Sequence, residues 1–132
     1  MKKVIISFVW AVGMQHWGPR ELEVGSVLYG KHEYQNPKDP NAIVLCAEKN
    51  FARTMAYLRR SDAVVVSQLF KAKVIVGHCY FKVKTKVEKF GHKTGPQQKL
   101  NVGFLCQEEN IEKMTDILKD SNLHVRIFFK KS

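Results

Sequence analysis

Apolar and polar residues change period several times along the chain, and each change marks an element. Val4, Ile6, Phe8, Trp10 and Val12 alternate with Ile5, Ser7, Val9 and Ala11, which predicts a first strand apolar on both faces and therefore central. Met1-Lys2-Lys3 opens this run as a signal peptide would. The apolar stretch breaks at Ser7 and no small-residue cleavage site follows, so it reads as strand. Gly13 to Arg20 is a loop with glycines near both ends, and it presents Gln15, His16 and Trp17. Trp17 either folds back over the mouth of a sheet or offers its ring to a ligand. Val24 to Tyr34 predicts a second strand, in which Gly30 suggests a bulge.

Glu33 to Leu45 is the stretch of least ambiguous type. Asn36, Pro37, Asp39, Pro40 and Asn41 crowd five turn-forming residues into six positions, and Ala42 to Ala47 follows as a short apolar strand. The two prolines fix φ and keep Asn36 and Asp39 out of helix, so the turn is rigid. A carboxylate held there caps turn amides or accepts from a ligand donor. Glu48-Lys49-Asn50 reverses the chain into Phe51 to Leu58, whose residues Phe51, Arg53, Met55 and Tyr57 share one face.

Ala63, Val66, Leu69 and Phe70 return at helical spacing, with Ser61 as the expected N-cap. Arg59 and Arg60 precede it at the strand-to-helix corner, where they either meet a phosphate or are simply solvated. Lys73 to Val87 reads as a long two-faced strand. Ile75, Cys79, Phe81, Val83 and Val87 point one way, and His78, Tyr80, Lys82, Lys84 and Lys86 the other. Tyr80 and Lys82 suit base stacking and phosphate contact, although a lysine-protected edge strand has the same pattern. Lys89 to Gln98 reads as a mobile basic loop and Lys99 to Gln107 as a strand. Glu108 and Glu109 open a helix with Ile111, Met114, Ile117 and Leu118 on one face, and Leu123 to Phe129 closes as a strand.

The 132 residues suit a single domain, and 45% hydrophobic with 26% charged residues is the balance of a folded globule. No apolar run reaches the ~20 residues of a membrane helix. Charge changes the picture more. Lys plus Arg total 22 against 12 acids, a formal charge of +10, which points to polyanionic partners with nucleic acid first. Cys46, Cys79 and Cys106 are odd in number and lack a C-x-x-C pair, so reduced core thiols in an intracellular protein are expected. Neither a phosphate-binding glycine loop nor a supported nucleophile is present, and His78 faces away from Cys79 across the strand, so a non-enzymatic module is expected. The five histidines stand singly, so neither a metal nor another cofactor is expected.

Val12-Gly13-Met14-Gln15-His16-Trp17, then Glu33-Tyr34-Gln35-Asn36-Pro37-Lys38-Asp39-Pro40-Asn41-Ala42-Ile43, then Ala56-Tyr57-Leu58-Arg59-Arg60 occur in the order of three motifs. Together they resemble the HIRAN domain, whose pattern is V-G-x-x-x-[YFW], E-x-x-N-P-x-D-x-N-A-I and G-Y-L-x-R. The resemblance covers about residues 4 to 76. It implies a mainly β (α+β) fold, a small OB-like or SH3-like barrel of about six strands with two short helices. Its core would span 4–87, and 99–130 would be a C-terminal strand-helix-strand extension.

In HIRAN domains fused to SNF2-type helicases, the module holds the free 3′ end of single-stranded DNA at stalled replication forks. Carried over, the resemblance implies that Asp39 accepts the terminal 3′-hydroxyl. His16 and Trp17, beside Gln15, would form the aromatic wall, and Arg60 with Arg59 and Tyr57 would meet a phosphate. Lys38 stands where many relatives carry an aromatic ring, and a cation there pairs with phosphate but does not stack. The implied setting is DNA repair or fork processing. The protein would be intracellular and monomeric, nuclear if eukaryotic, beside a helicase or other repair protein and away from membranes. A module docking an acidic partner through Lys89 to Gln98 and Asn110 to Lys119 is the alternative. General binding of single-stranded RNA or DNA by the Tyr80 and Lys82 face is another.

Overall fold

The computed structural model describes residues 1–17, 21–89 and 95–129. Residues 18–20 of the loop carrying Trp17 and residues 90–94 of the basic stretch lie outside the described residues. The strands are β1 (Lys2–Val12), β2 (Val27–His32), β3 (Ile43–Cys46), β4 (Thr54–Leu58), β5 (Val76–Val83), β6 (Glu88–Lys89), β7 (Pro96–Cys106) and β8 (His124–Phe129). The helices are α1 (Arg60–Lys71) and α2 (Ile111–Leu118), with single 3-10 turns at Met14–His16 and Glu108–Asn110. All pairings are antiparallel. The order β7-β5-β2-β3-β4-β1, closed by β1 on β7, makes the six-stranded barrel that the resemblance implies. Closure leaves these strands no free edge where they pair.

Barrel closure corrects the expected core. Strand β7 pairs with β1 from Lys2 to Ala11 and with β5 from Val76 to Val83, so it is a wall of the barrel and not part of an extension. A barrel of residues 4–87 alone would stand open. Beyond the closed ring, β8 pairs with β1 over Lys2 to Ser7, and β6 pairs with the start of β7.

Strand β1 also departs from strict alternation. Val4 and Ile6 point inward, but so do Val9 and Ala11, because the pairing with β7 slips between Ile6 and Val9. Four residues on β1, from Ile6 to Val9, face three on β7, from Val102 to Leu100. That extra residue is a β-bulge, and it flips which parity faces the core.

The interior then fills by alternation from every wall: Leu28, Ile43, Leu45, Ala56, Phe81, Leu100, Val102 and Phe104 are all buried. Gly30 is not a bulge, since its register with Leu45 and Cys79 is continuous. A Cβ there would overlap the Phe81 ring, so glycine is needed for close approach. Strand β5 is shorter than the predicted Lys73 to Val87. Positive φ at Lys73 (58°) and Gly77 (71°) breaks the run, and clean alternation holds only from Cys79 to Val83.

Helix α1 buries Ala63, Val66 and Leu69, and α2 buries Met114 and Leu118, both against the same core. Ser61 is not the N-cap; Arg59 holds that position without a side-chain cap bond, and Ser61 lies inside the helix. The predicted basic loop is also shorter than expected, because Gln97 and Gln98 are buried in β7. The Gln98 amide accepts from the Leu22 amide (2.7 Å) and donates to the carbonyls of Leu22 (2.9 Å) and Thr85 (3.0 Å). A fully buried glutamine is tolerated because its donor and acceptor are both engaged.

Cys46, Cys79 and Cys106 are free, buried thiols, and burial pushes each of them up, out of the range of a reactive thiolate. Among the described residues no helix is long and apolar enough to cross a membrane.

Candidate nucleic-acid interface

The turn between β2 and β3 is built by its own side chains. Asn36 Oδ1 accepts from the amides of Lys38 (2.9 Å) and Asp39 (3.2 Å), and its Nδ2 donates to Glu33 Oε1 (3.2 Å). Asp39 Oδ1 accepts from the Asn41 amide (2.9 Å). His32 Nε2 donates to the Pro40 carbonyl (2.8 Å), since a carbonyl only accepts. The turn thus holds its shape without needing a ligand. It borders a surface groove of about 560 Å³ lined by Lys31, Tyr34, Lys38 and Tyr57 among others.

Tyr57 leaves β4 toward this groove and donates its hydroxyl to Glu33 Oε1 (2.8 Å). Burial first, then the hydrogen bond and charge of Glu33, push its phenol up to about 12. The phenol stays protonated and the ring fixed. Trp17, 38% exposed, stands 6.2 Å from Tyr57 between ring centroids with the planes tilted by 40°. The 3-10 turn of Met14–His16 places it there, anchored by the fully buried Met14. Trp17 therefore contacts a neighbouring ring and keeps an open face.

Asp39 divides its carboxylate between two partners. Oδ1 caps the turn, while Oδ2 faces Arg60 Nε at 3.7 Å. The Arg60 side chain is 78% exposed at the first position of α1, so this pair is weak and the guanidinium is available. Arg59 differs from its neighbour. Its Nη2 donates to Asp62 Oδ1 (3.3 Å) and its guanidinium lies 5.9 Å from the centre of the Trp10 ring, so it is turned toward β1. Asp62, whose side chain is 5% exposed, also accepts from the Trp10 amide (2.9 Å). Desolvation raises its carboxyl, opposed by Arg59 and by that amide.

The structure brings Trp17 to Tyr57, Asp39 to Arg60, and Lys38 with Tyr57 to one groove. Gln15 and His16 are exposed on the same 3-10 turn; a Cβ on Gly95 would come within 3.0 Å of Gln15 Nε2. Tyr80 and Lys82 do not join this group. They stand on β5, which β2 and β3 separate from β4, and Tyr80 packs with Tyr29 (5.4 Å) and His78 (6.3 Å). Three contributors escaped sequence reasoning: Glu33, Asn36 and Lys31. Asn36 was legible as a turn residue but not as the acceptor for two amides. Lys31 both lines the groove and sits 5.6 Å from the centre of the Phe51 ring, a placement with no local sequence signal.

No family model matches the sequence, and no curated protein matches it. Solved structures do. The crystal structure of the HIRAN domain of human HLTF aligns with a TM-score of 0.68 at 20% identity, covering 91% of this chain and 93% of that one. A crystal structure of a protein from Lactobacillus plantarum aligns with a TM-score of 0.56 at 16% identity, covering 80% of this chain and 100% of that one. At these identities the likeness is one of architecture. The closed barrel of this chain therefore shares its fold with that HIRAN domain structure.

Proposed function

We propose that the protein is a nucleic-acid-binding module that captures single-stranded DNA at a free 3′-hydroxyl. The observation that carries this reading is the Asp39 carboxylate, pinned through Oδ1 and directing Oδ2 toward the exposed Arg60, in the turn whose neighbouring groove is lined by Lys38 and Tyr57. In this reading the terminal hydroxyl donates to Asp39 Oδ2, and Arg60 leaves its weak pair to bind the adjoining phosphodiester. The last bases stack on Trp17 and Tyr57, and Lys38 and Lys31 neutralise the preceding phosphates. A 3′-phosphate is repelled by the same carboxylate. The setting is repair or fork processing, with a helicase-type partner and a monomeric module.

Fluorescence anisotropy with labelled single strands ending in a 3′-hydroxyl or a 3′-phosphate tests this directly. The hydroxyl form should bind tighter, and Asp39→Ala should remove the difference. Equal binding of both ends by the unaltered protein sinks the end-specific reading and leaves a general polyanion binder. With Arg60, Lys38 and Lys31 on phosphates, log affinity should fall against log salt with a slope of about −2. The alternative of an acidic partner docked through α2 meets an opposing charge: Glu108, Glu109, Glu112, Asp116 and Asp120 all lie on or beside that helix, and Asp116 and Asp120 line the groove between α1 and α2.

A further inference from the structure

The bulge in β1 places a residue in a conformation that the fold explains and a side chain that it does not. Phe8 has a φ of 69°, in the left-handed region, because one extra residue must be absorbed between Ile6 and Val9. Bulges of this shape ordinarily take glycine there, where no Cβ opposes the turn. Phenylalanine adds strain of about 1 kcal/mol or more. Burial does not offset it, for Phe8 is 51% exposed. The parity flip of β1 needs a left-handed residue; it does not need a ring.

What surrounds the ring is specific. Lys99, paired with Trp10 across β7, holds its ammonium 4.9 Å from the centre of the Phe8 ring and 5.3 Å from that of Trp10. His124 on β8 meets Phe8 edge-on at 6.3 Å. On the other flank, Arg59 approaches Trp10, and its Nε is buried with no hydrogen-bond partner among the described residues. Asp62 is turned to Arg59 and the Trp10 amide, and among the described residues Lys99 makes no ion pair. Rings and cations interleave here as they do on single-strand binding faces.

The position of the group links it to the groove. Val12 pairs with Tyr57, and Val12, Trp10 and Phe8 succeed one another on the outer face of β1. Phe8 lies four positions along the strand from Val12, about 13 Å. A strand leaving the Trp17–Tyr57 rings along β1 would reach Trp10, Lys99 and then Phe8.

We infer that Phe8, Trp10 and Lys99 form a second stacking platform, which takes a base and its phosphate several nucleotides inward from the end of a bound single strand. The inference rests on the reading of the groove as the site of the 3′ end. The platform lengthens the footprint toward the 5′ direction and makes affinity depend on strand length.

The test uses the full chain with Phe8→Gly, Phe8→Asn and Phe8→Tyr, and two labelled single strands ending in a 3′-hydroxyl, a dinucleotide and one of about ten nucleotides. Glycine and asparagine suit the left-handed backbone, so both variants should fold with an unchanged or higher Tm. They should bind the longer strand about tenfold more weakly and the dinucleotide unchanged, and Phe8→Tyr should restore the longer strand's affinity. If the glycine and asparagine variants bind both strands as the parent does, the platform does not exist. If they weaken both strands equally, Phe8 acts through the groove and the platform is likewise refuted. Failure of the groove reading shows separately: a parent indifferent to 3′-hydroxyl or 3′-phosphate, yet weakened on the longer strand by Phe8→Gly, keeps the platform and loses the end specificity.

Discussion

The rim turn of Glu33 to Asn41 and the bulge at Phe8 both aim side chains outward from the same barrel, but they reach their shapes by opposite means. The turn is held by its own side chains: Asn36 and Asp39 bond to amides within three residues, and the prolines restrict the rest. The bulge is held from a distance, by β7 across the sheet and by Asp62 reaching the Trp10 amide from fifty-two positions away. Local chemistry makes the turn rigid without a neighbour; long-range pairing makes the bulge dependent on closure.

Removing the distant pin should have the largest effect. Asp62→Ala strips the partner from the Trp10 amide and from Arg59 in a buried setting, and should lower unfolding free energy by about 3 kcal/mol in urea titrations. A loss well under 1 kcal/mol would mean the bulge stands without it.

Trp17→Ala should leave stability nearly unchanged and weaken binding of a 3′-hydroxyl dinucleotide by roughly 2 kcal/mol, about thirtyfold, in anisotropy titrations. Asn36→Ala should cost about 1 kcal/mol of stability by leaving two turn amides to solvent. A value matching Asp62→Ala would erase the contrast between local and distant support.

The smallest effect concerns Tyr57. Its phenol is raised in the folded state, so its contribution to stability is full below the unfolded value near 10 and is lost as pH rises through about 12. Glu33→Gln should lower the Tyr57 value while leaving it above 10, because burial is the larger cause. Ultraviolet titration against a Tyr57→Phe reference reads this, and an unmoved curve would deny the Glu33 contact.

The same contrast explains what the sequence made legible. The rim turn, both helical faces and a small barrel of about six strands could be read ahead, the first two because they depend on neighbours in the chain and the last through the three motifs, whereas the closing wall supplied by β7 could not. The parity flip at Phe8 could not, since alternation of apolar residues continues unbroken through it and only pairing with Val102 and Leu100 reveals the extra residue. Gln98 was hidden for the same reason. A glutamine after a glycine and a proline reads as loop, and the groups that satisfy it lie at Leu22 and Thr85. Arg59 and Arg60 are indistinguishable in sequence, yet Asp62 turns one toward β1 and leaves the other exposed.

The closure of β1 on β7 also bears on how the chain is made. Strand β1 ends at Val12 and its partner β7 begins only at Pro96, so during synthesis an apolar strand of 11 residues waits for most of the chain before its longest edge is covered. Contacts so distant in sequence form slowly, and an unpaired apolar strand is exposed to mispairing with other chains meanwhile. Lys2 and Lys3 stand at its start, where gatekeeper charges are placed in natural strands of this kind. Replacing them with threonine should raise aggregation during refolding more than it lowers the stability of the finished barrel.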